Sequence, residues 1–218
     1  MTILDELSRI DWFARQPAAL QARLAAAGRV VSLRRGQWVY SQGDTGTGLC
    51  AVLGGALRLE VALGPERDVL IGLAQAPAIL GQTRRRGGGP RILTVRANVA
   101  SRVLMIADDA LEAAAQDVPE LWRAVNELVY TELEGMTRLA AWLLVQAPLA
   151  RVAMRLLQLA DGDGRVVVNQ NDLAEMTGLS RKTVNGHLAG LERDGVVARG
   201  YREVRVLDRA ALERLARG

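Results

Sequence analysis

The sequence predicts an α+β chain: an antiparallel β-barrel or sandwich, then a long helix, then a small unit built around a helix-turn-helix. Three observations predict it. Short apolar runs punctuated by glycine turns fill the stretch from Val30 to Ile106, an uninterrupted helical period runs between Pro119 and Pro148, and a helix-turn-helix spacing spans Gln170 to Gly195.

The first 28 residues read as short helices, because Ile3, Leu4, Leu7 and Ile10, then Leu20 and Leu24, recur at helical spacing. From Val30 the period shortens. Runs at 30–33, 38–40, 49–53, 56–61, 69–73, 92–97 and 102–106 are separated by turn signals such as Gly43-Asp44, Gly54-Gly55, Gly64-Pro65 and Gly87-Gly88-Gly89-Pro90. Seven or more such strands indicate a closed or double-layered sheet. Ala107-Asp108-Asp109 is a natural helix start. Pro119 suits the first turn of the long helix, which reaches about Gln146, roughly 40 Å at 1.5 Å per residue. Trp122, Val129, Met136 and Leu143 are spaced by seven, as are Leu121, Leu128, Gly135 and Trp142. Two adjacent apolar stripes give the helix two surfaces to cover, the sheet and a partner helix, so a homodimer is expected. Pro148 ends or bends that helix and reads as a hinge. Beyond it come a helix over 149–159, a strand over 165–168, two short helices, a hairpin with Arg199-Gly200-Tyr201-Arg202 as its turn, and a last helix over 209–216. The expected divisions are 1–118, 119–147 and 148–218.

Composition excludes several function classes. No apolar run approaches the roughly 20 residues of a membrane helix, and the N-terminus lacks a secretory pattern, so no membrane partner is expected. Cys50 is the single cysteine, which rules out an internal disulfide and suits a reducing cytoplasm. With one histidine, one cysteine and no carboxylate cluster near a phosphate loop, there is no nucleophile–base set for an enzyme, and no metal or cofactor is expected. The net charge of +4 divides as +1 for residues 1–149 and +3 for residues 150–218, a mild polyanion signal in the C-terminal third.

The segment from Gln170 to Gly195 carries the chemistry. Leu173 and Ala174 suit a first helix crossed closely by a second, and Gly178 stands where the chain must turn sharply. Ser180 is a good N-cap, and Val184, Leu188 and Leu191 form the inward face of the second helix. Its other face carries Arg181, Lys182 and Asn185. Arginine or lysine donates to guanine, and asparagine can form a bidentate pair with adenine. Gln170, Ser180 and Thr183 belong to the same interface, Thr183 on the phosphate side. His187 reads either as a DNA contact or as a filler at the helix boundary. The bland alternative for the whole segment is a helix pair with a solvated basic face.

With these features in this order, the chain resembles the family of the cyclic-AMP receptor protein and the fumarate-nitrate regulator. The stretch Asp172-Leu-Ala-Glu-Met-Thr-Gly-Leu-Ser-Arg-Lys-Thr-Val184 is close to the family's "DLA–G–SRETV" pattern, and Gly36, Gly43-Asp44, Leu53-Gly54-Gly55 and Leu80-Gly81 match its glycine turns. The resemblance implies a cyclic-nucleotide-binding-like β-roll, a long dimerisation helix and a C-terminal winged helix-turn-helix. It also implies a palindromic double-stranded DNA site, contact with RNA polymerase, and a small-molecule effector in the roll, here of unknown identity.

Departures from the family set the finer expectations. Cyclic-nucleotide binders carry a cassette of the type Gly-Glu … Arg-Ser/Thr-Ala, whereas this chain has Gly81-Gln82-Thr83 and Arg91-Ile92-Leu93, with Met136-Thr137 where two hydroxyl residues face adenine. Gln82 removes an acceptor for the ribose and Ile92 a donor for the phosphate, so cyclic AMP is not the expected effector; a degenerate cyclic-nucleotide pocket is the alternative. Iron–sulfur members need four cysteines and haem members a histidine outside the DNA-reading helix, and neither is present. Arg84-Arg85-Arg86 with its glycines reads as a solvated loop. Lys182 stands where the family commonly has Glu, and Gly186 where a second Arg is common, so a half-site other than TGTGA or TTGAT is expected. A ligand-binding module using its winged helix for protein contacts is the competing class.

Overall fold

The computed structural model describes residues 2–217 except Pro65, Glu66, Arg85 and Arg86, together with the backbone but not the side chain of Gln82. The chain falls into two compact units, one comprising the residues up to Asp68 with Gly72–Glu134, the other Val69–Ile71 with the residues from Gly135 onward.

The first unit opens with three helices, α1 (Ile3–Leu7), α2 (Asp11–Ala14) and α3 (Ala18–Ala27). A reciprocal capping box between Thr2 and Asp5 starts α1. Eight strands follow, β1 (Arg29–Leu33), β2 (Trp38–Tyr40), β3 (Gly48–Gly54), β4 (Ala56–Ala62), β5 (Asp68–Gln75), β6 (Ala78–Gln82), β7 (Thr94–Ala97) and β8 (Ser101–Ala107). They form two four-stranded sheets, ordered β1-β8-β3-β6 and β2-β7-β4-β5. The expected barrel or sandwich is thus a roll of two sheets. β3 is buried from Gly48 to Leu53 and pairs with β8 on one side and β6 on the other. Its alternate residues Leu49, Ala51 and Leu53 join Leu104 and Ile106 of β8 in the helix-facing core. That core is closed by Leu7, Trp12, Phe13, Leu20 and Leu24, by Leu111 of α4 (Asp108–Asp117), and by Leu121, Val125 and Leu128 of α5 (Leu121–Val145). The Trp12 indole N–H donates to the Ala124 carbonyl at 2.8 Å, tying the N-terminal helices to α5.

Two local departures from the sequence expectation have physical causes. β6 is a strand that the pattern did not reveal, since Ala78-Ile79-Leu80-Gly81-Gln82 is short and lacks alternation; its hydrogen bonds to β3 create it. Conversely, Ile92 and Leu93 stand outside β7. The Arg91 backbone pairs instead with the Gly43–Asp44 turn, donating to the Asp44 carbonyl and accepting from Gly43 N–H, both at 2.8 Å, and Ile92 is left 69% exposed.

The second unit contains the end of α5, α6 (Pro148–Leu159), β9 (Arg165–Val166), α7 (Gln170–Thr177), α8 (Arg181–Arg193), β10 (Val197–Gly200), β11 (Glu203–Val206) and α9 (Arg209–Arg217). Pro148 occupies the first turn of α6. The sheet order is β10-β11-β9, and Val152, Ala153, Leu156, Leu173, Val184, Leu188 and Leu212 are buried. The hairpin differs from expectation. Arg199 and Gly200 belong to β10, paired with Val204 and Glu203, so the turn is only Tyr201-Arg202, with Arg202 in left-handed backbone at φ 57°.

On the second sheet, buried Glu60 of β4 holds Arg96 of β7 in a bidentate pair at 2.6 and 2.7 Å and Arg58 at 2.9 Å. Burial pushes the Glu60 carboxyl upward, but hydrogen bonds from Arg96 and Arg58 outweigh it and hold the group below its ordinary value. Its stabilising contribution is therefore present above the ordinary carboxylate pKa and is lost as pH falls through the folded value. Glu60→Gln should cost about 2–3 kcal/mol at pH 7, less than a fully buried pair because both arginines keep part of their side chains in water. Urea unfolding at pH 7 and at pH 3 checks this; the difference between the two proteins should shrink at pH 3.

Candidate nucleic-acid interface

The interface is built on the reversal between α7 and α8. Asn169 caps α7 by accepting from Asp172 N–H at 2.9 Å, and Thr177 near its end is buried, its hydroxyl donating to the Leu173 carbonyl at 2.6 Å. Gly178 then enters left-handed backbone at φ 65°, where a side chain is disfavoured, and its N–H closes the helix on Ala174 and Glu175. Two residues later Ser180 caps α8, accepting from Thr183 N–H at 3.0 Å. Val184, Leu188 and Leu191 point into the unit. Arg181, Lys182, Asn185 and Gly186 are exposed, while Thr183 and His187 are half-buried.

The hairpin of β10 and β11 stands beside this face as a wing. Gln170, Asn171, Arg181, Arg199, Tyr201 and Arg202 line a groove of about 490 Å³ between them. Tyr201 is 93% exposed at the wing tip. Arg199 bridges wing and helix: its guanidinium meets the Glu192 carboxylate at 2.6 and 2.7 Å, its backbone N–H donates to the same carboxylate at 3.0 Å, and its Nη1 donates to Asn185 Oδ1 at 3.1 Å. That hydrogen bonding holds Glu192 below its ordinary value. Among the residues expected for DNA contact, Gln170 and Arg181 line the groove, with Asn185 joined to Gln170 by a 3.2 Å hydrogen bond. Sequence reasoning missed Asn171, Arg199, Tyr201 and Arg202; the Arg-Gly-Tyr-Arg hairpin beside a basic helix was the available signal.

A basic, capped helix flanked by a wing is the geometry of a winged helix-turn-helix. Comparison with known proteins agrees. Residues 150–215 match the Crp-like helix-turn-helix domain and residues 30–117 the cyclic nucleotide-binding domain. The nitrogen fixation regulation protein FixK of Bradyrhizobium diazoefficiens is 30% identical over 198 residues, covering 87% of this chain and 82% of that protein. The chain belongs to the CRP/FNR family. It is 26% identical over 211 residues to the CRP-like cAMP-activated global transcriptional regulator of Mycobacterium tuberculosis, covering 93% of this chain and 94% of that one. Its fold is that of FixK2 from Bradyrhizobium japonicum, with a TM-score of 0.77 at 21% identity over 86% of this chain and 96% of that one. It is therefore a DNA-binding transcription regulator of the CRP/FNR type and not an enzyme. Among the described residues no helix is long and apolar enough to cross a membrane.

The family's effector cassette can be read on this scaffold. Buried Arg91 donates from Nε to the Gly46 carbonyl at 3.0 Å and from Nη1 to the Gly48 carbonyl at 3.1 Å, with the Tyr40 ring 3.9 Å from its guanidinium carbon. Two of its five N–H donors are thus engaged with neutral carbonyls. The Gly81 N–H donates to the Glu132 carboxylate of α5 at 3.2 Å. Gly81 has no room for a side chain, since a Cβ there would stand 2.6 Å from Leu49 and 2.9 Å from Leu128. Thr83 is buried, and its hydroxyl has no partner among the described residues. Ile92 is apolar and exposed, and Met136 and Thr137 lie on an exposed stretch of α5. The Gln82 side chain, Arg85 and Arg86 lie outside the described residues. Arg84 N–H donates to Thr47 Oγ1 at 3.1 Å and to Asp108 at 3.2 Å, anchoring the start of the arginine loop.

The Gly81 N–H is thus turned to a carboxylate rather than left open at the cassette. Cys50 is buried, and burial pushes its thiol up to about 12, so it is a neutral wall residue. Sequence reasoning missed Glu132. It continues the buried series Leu121, Val125 and Leu128 on α5, and a carboxylate in an apolar stripe is the signal that marks it.

Burial pushes Glu132 up to about 7 from its ordinary 4.5, the Gly81 hydrogen bond offsetting only part of the effect. Between those two values the folded protein keeps a proton that the unfolded chain has lost. Stability attributable to this group therefore falls as pH rises from about 4.5 to 7 and stays low above. Glu132→Gln should be more stable than the parent by about 2–3 kcal/mol at pH 8 and equal to it near pH 4. Urea unfolding at both pH values checks the difference; a constant difference would refute the role of ionisation.

Proposed function

We propose that this regulator works as a cytoplasmic homodimer that inserts its two α8 helices into successive major grooves of a palindromic DNA site, and that its effector is not a cyclic nucleotide. The observation that carries the reading is the exposed α8 face with Arg181, Lys182 and Asn185 beside the wing. Arg181 and Lys182 supply donors suited to guanine, while Ser180, Thr183, Gln170 and His187 border the helix where phosphates pass. Dimerisation is supported by α5. One of its faces is buried through Leu121, Val125 and Leu128, while Val129, Leu133 and Met136 are 39%, 57% and 43% exposed at spacings of four and three. A second copy of α5 is the partner that such a stripe fits. A dimer places two reading helices about 34 Å apart, one turn of duplex. Contact with RNA polymerase follows from the family's mode of action.

The cassette geometry supports the effector reading. The relative from Mycobacterium tuberculosis is named for activation by cAMP, so cAMP is the informative comparator. Here the Gly81 N–H already donates to Glu132 and Ile92 stands where the cassette's hydroxyl donor would be, so a phosphate would find fewer donors, each charge-assisted bond being worth about 1.5–3 kcal/mol.

Selection from a random duplex library is the test. A two-fold symmetric site should emerge with a half-site other than TGTGA or TTGAT, and its affinity should not change when cAMP is added. Arg181→Ala should lose about 1–3 kcal/mol and relax preference at one base pair per half-site. Recovery of TGTGA, or unchanged affinity and preference in the variant, would overturn the assignment of α8 as the reader.

A further inference from the structure

We propose that Arg199 of the wing is a positioning residue that turns Asn185 into a donor-only base reader, directing it to an acceptor edge such as guanine N7/O6 and away from adenine. This rests on the DNA-reading role of α8 given above. The Asn185 side-chain oxygen accepts two hydrogen bonds, from Arg199 Nη1 at 3.1 Å and from Gln170 Nε2 at 3.2 Å. An amide oxygen has two lone pairs, so its accepting capacity is filled. The orientation is not free to reverse. Arginine has donors only, and a flipped amide would set its NH₂ group against a guanidinium. Arg199 is in turn fixed on the protein, because Glu192, two turns beyond Asn185 on α8, binds its guanidinium at 2.6 and 2.7 Å and its backbone N–H at 3.0 Å.

The consequence is a change of code. A bidentate pair with adenine needs the asparagine oxygen to accept from N6–H₂ while its nitrogen donates to N7. With the oxygen held by the wing and by α7, the exposed part of Asn185 is an NH₂ group with two donors. Guanine offers two neighbouring acceptors, N7 and O6, in the major groove, thymine offers O4 alone, and cytosine presents a donor. The pairing with adenine expected from the residue type alone is therefore replaced by a preference for guanine, with thymine second. Arg199 itself is poorly suited to bind phosphate, since Glu192 neutralises it.

The test compares base preference in full-length protein by library selection and by binding to single-base variants of the selected site. Asn185→Ala identifies the base pair that Asn185 reads, by losing preference there and nowhere else. At that pair the parent should favour guanine over adenine by about tenfold. Arg199→Met keeps the side-chain length, frees one of the two lone pairs of the Asn185 oxygen, and should move preference at that same pair toward adenine while leaving the Arg181-dependent pair unchanged. Glu192→Gln, which loosens Arg199 without removing it, should shift it in the same direction by less, and provides the reading if Arg199→Met does not fold. Adenine at the Asn185-dependent pair in the parent overturns the proposal. So does uniform weakening in Arg199→Met with unchanged preference, since that is the signature of a phosphate contact. Absence of any selected sequence would instead refute the DNA-reading role of α8, and this inference with it.

Discussion

Gly178 lets the chain reverse between α7 and α8 within three residues, and that reversal fixes which side of α8 is left in water. At φ 65° a residue with a side chain would cost about 1–2 kcal/mol, enough to compete with the crossing itself. Ser180 then accepts from the Thr183 N–H in the first turn of α8, so the helix begins at one defined residue. Once the start is fixed, the 3.6-residue period does the rest. Val184, Leu188 and Leu191 go inward, Lys182 and Asn185 are left on the outer side, and Arg181, at the first position of the helix, is exposed. Shifting the start by one residue would rotate every side chain by about 100°. The wing is registered on that same helix by Glu192, whose carboxylate serves both the backbone and the side chain of Arg199.

In the first unit the corresponding fixed element is the β3–β6 edge against α5. Gly81 allows Leu49 and Leu128 to fill the space that a side chain would take, and this closeness brings the Glu132 carboxylate to the Gly81 N–H. The roll thus keeps the family's fold while the Gly81 N–H and part of the Arg91 guanidinium are engaged within the protein. Arg91 acts as a strut for the loop around Gly46 and Gly48, backed by the Tyr40 ring, and its position in sequence is the family's phosphate position. A common scaffold can carry different sites, so the fold alone does not name a ligand.

Much of the architecture was legible because the signals are local. Glycine turns separated most of the strands, Pro148 marked the junction of α5 and α6, and the Gly178–Ser180 spacing marked the reversal. The failures are non-local. β6 is a strand because β3 offers it hydrogen bonds, and Ile92 leaves the sheet because Arg91 pairs with the Gly43–Asp44 turn. The wing turn contracted to Tyr201-Arg202 because Arg199 and Gly200 find partners in Val204 and Glu203. The same distinction separates the site residues: Arg181 and Lys182 could be picked from helical spacing, whereas Arg199 acquires its role from Glu192, seven residues away on another element.

The amino-acid order by itself determined the succession of roll, long helix and winged helix-turn-helix, and the identity of the outer face of α8. These follow from backbone propensities and from the periodicity of apolar residues, which act over a few positions. Only the tertiary structure decided which of the two apolar stripes on α5 is covered and which hydrogen-bonding groups are already spent. Spacing shows that Val125 and Val129 both lie on apolar faces of one helix, but not that the first is buried in the core and the second is 39% exposed. Likewise an asparagine or an arginine carries a fixed number of donors and acceptors, and how many remain for a ligand depends on neighbours that folding brings from elsewhere in the chain.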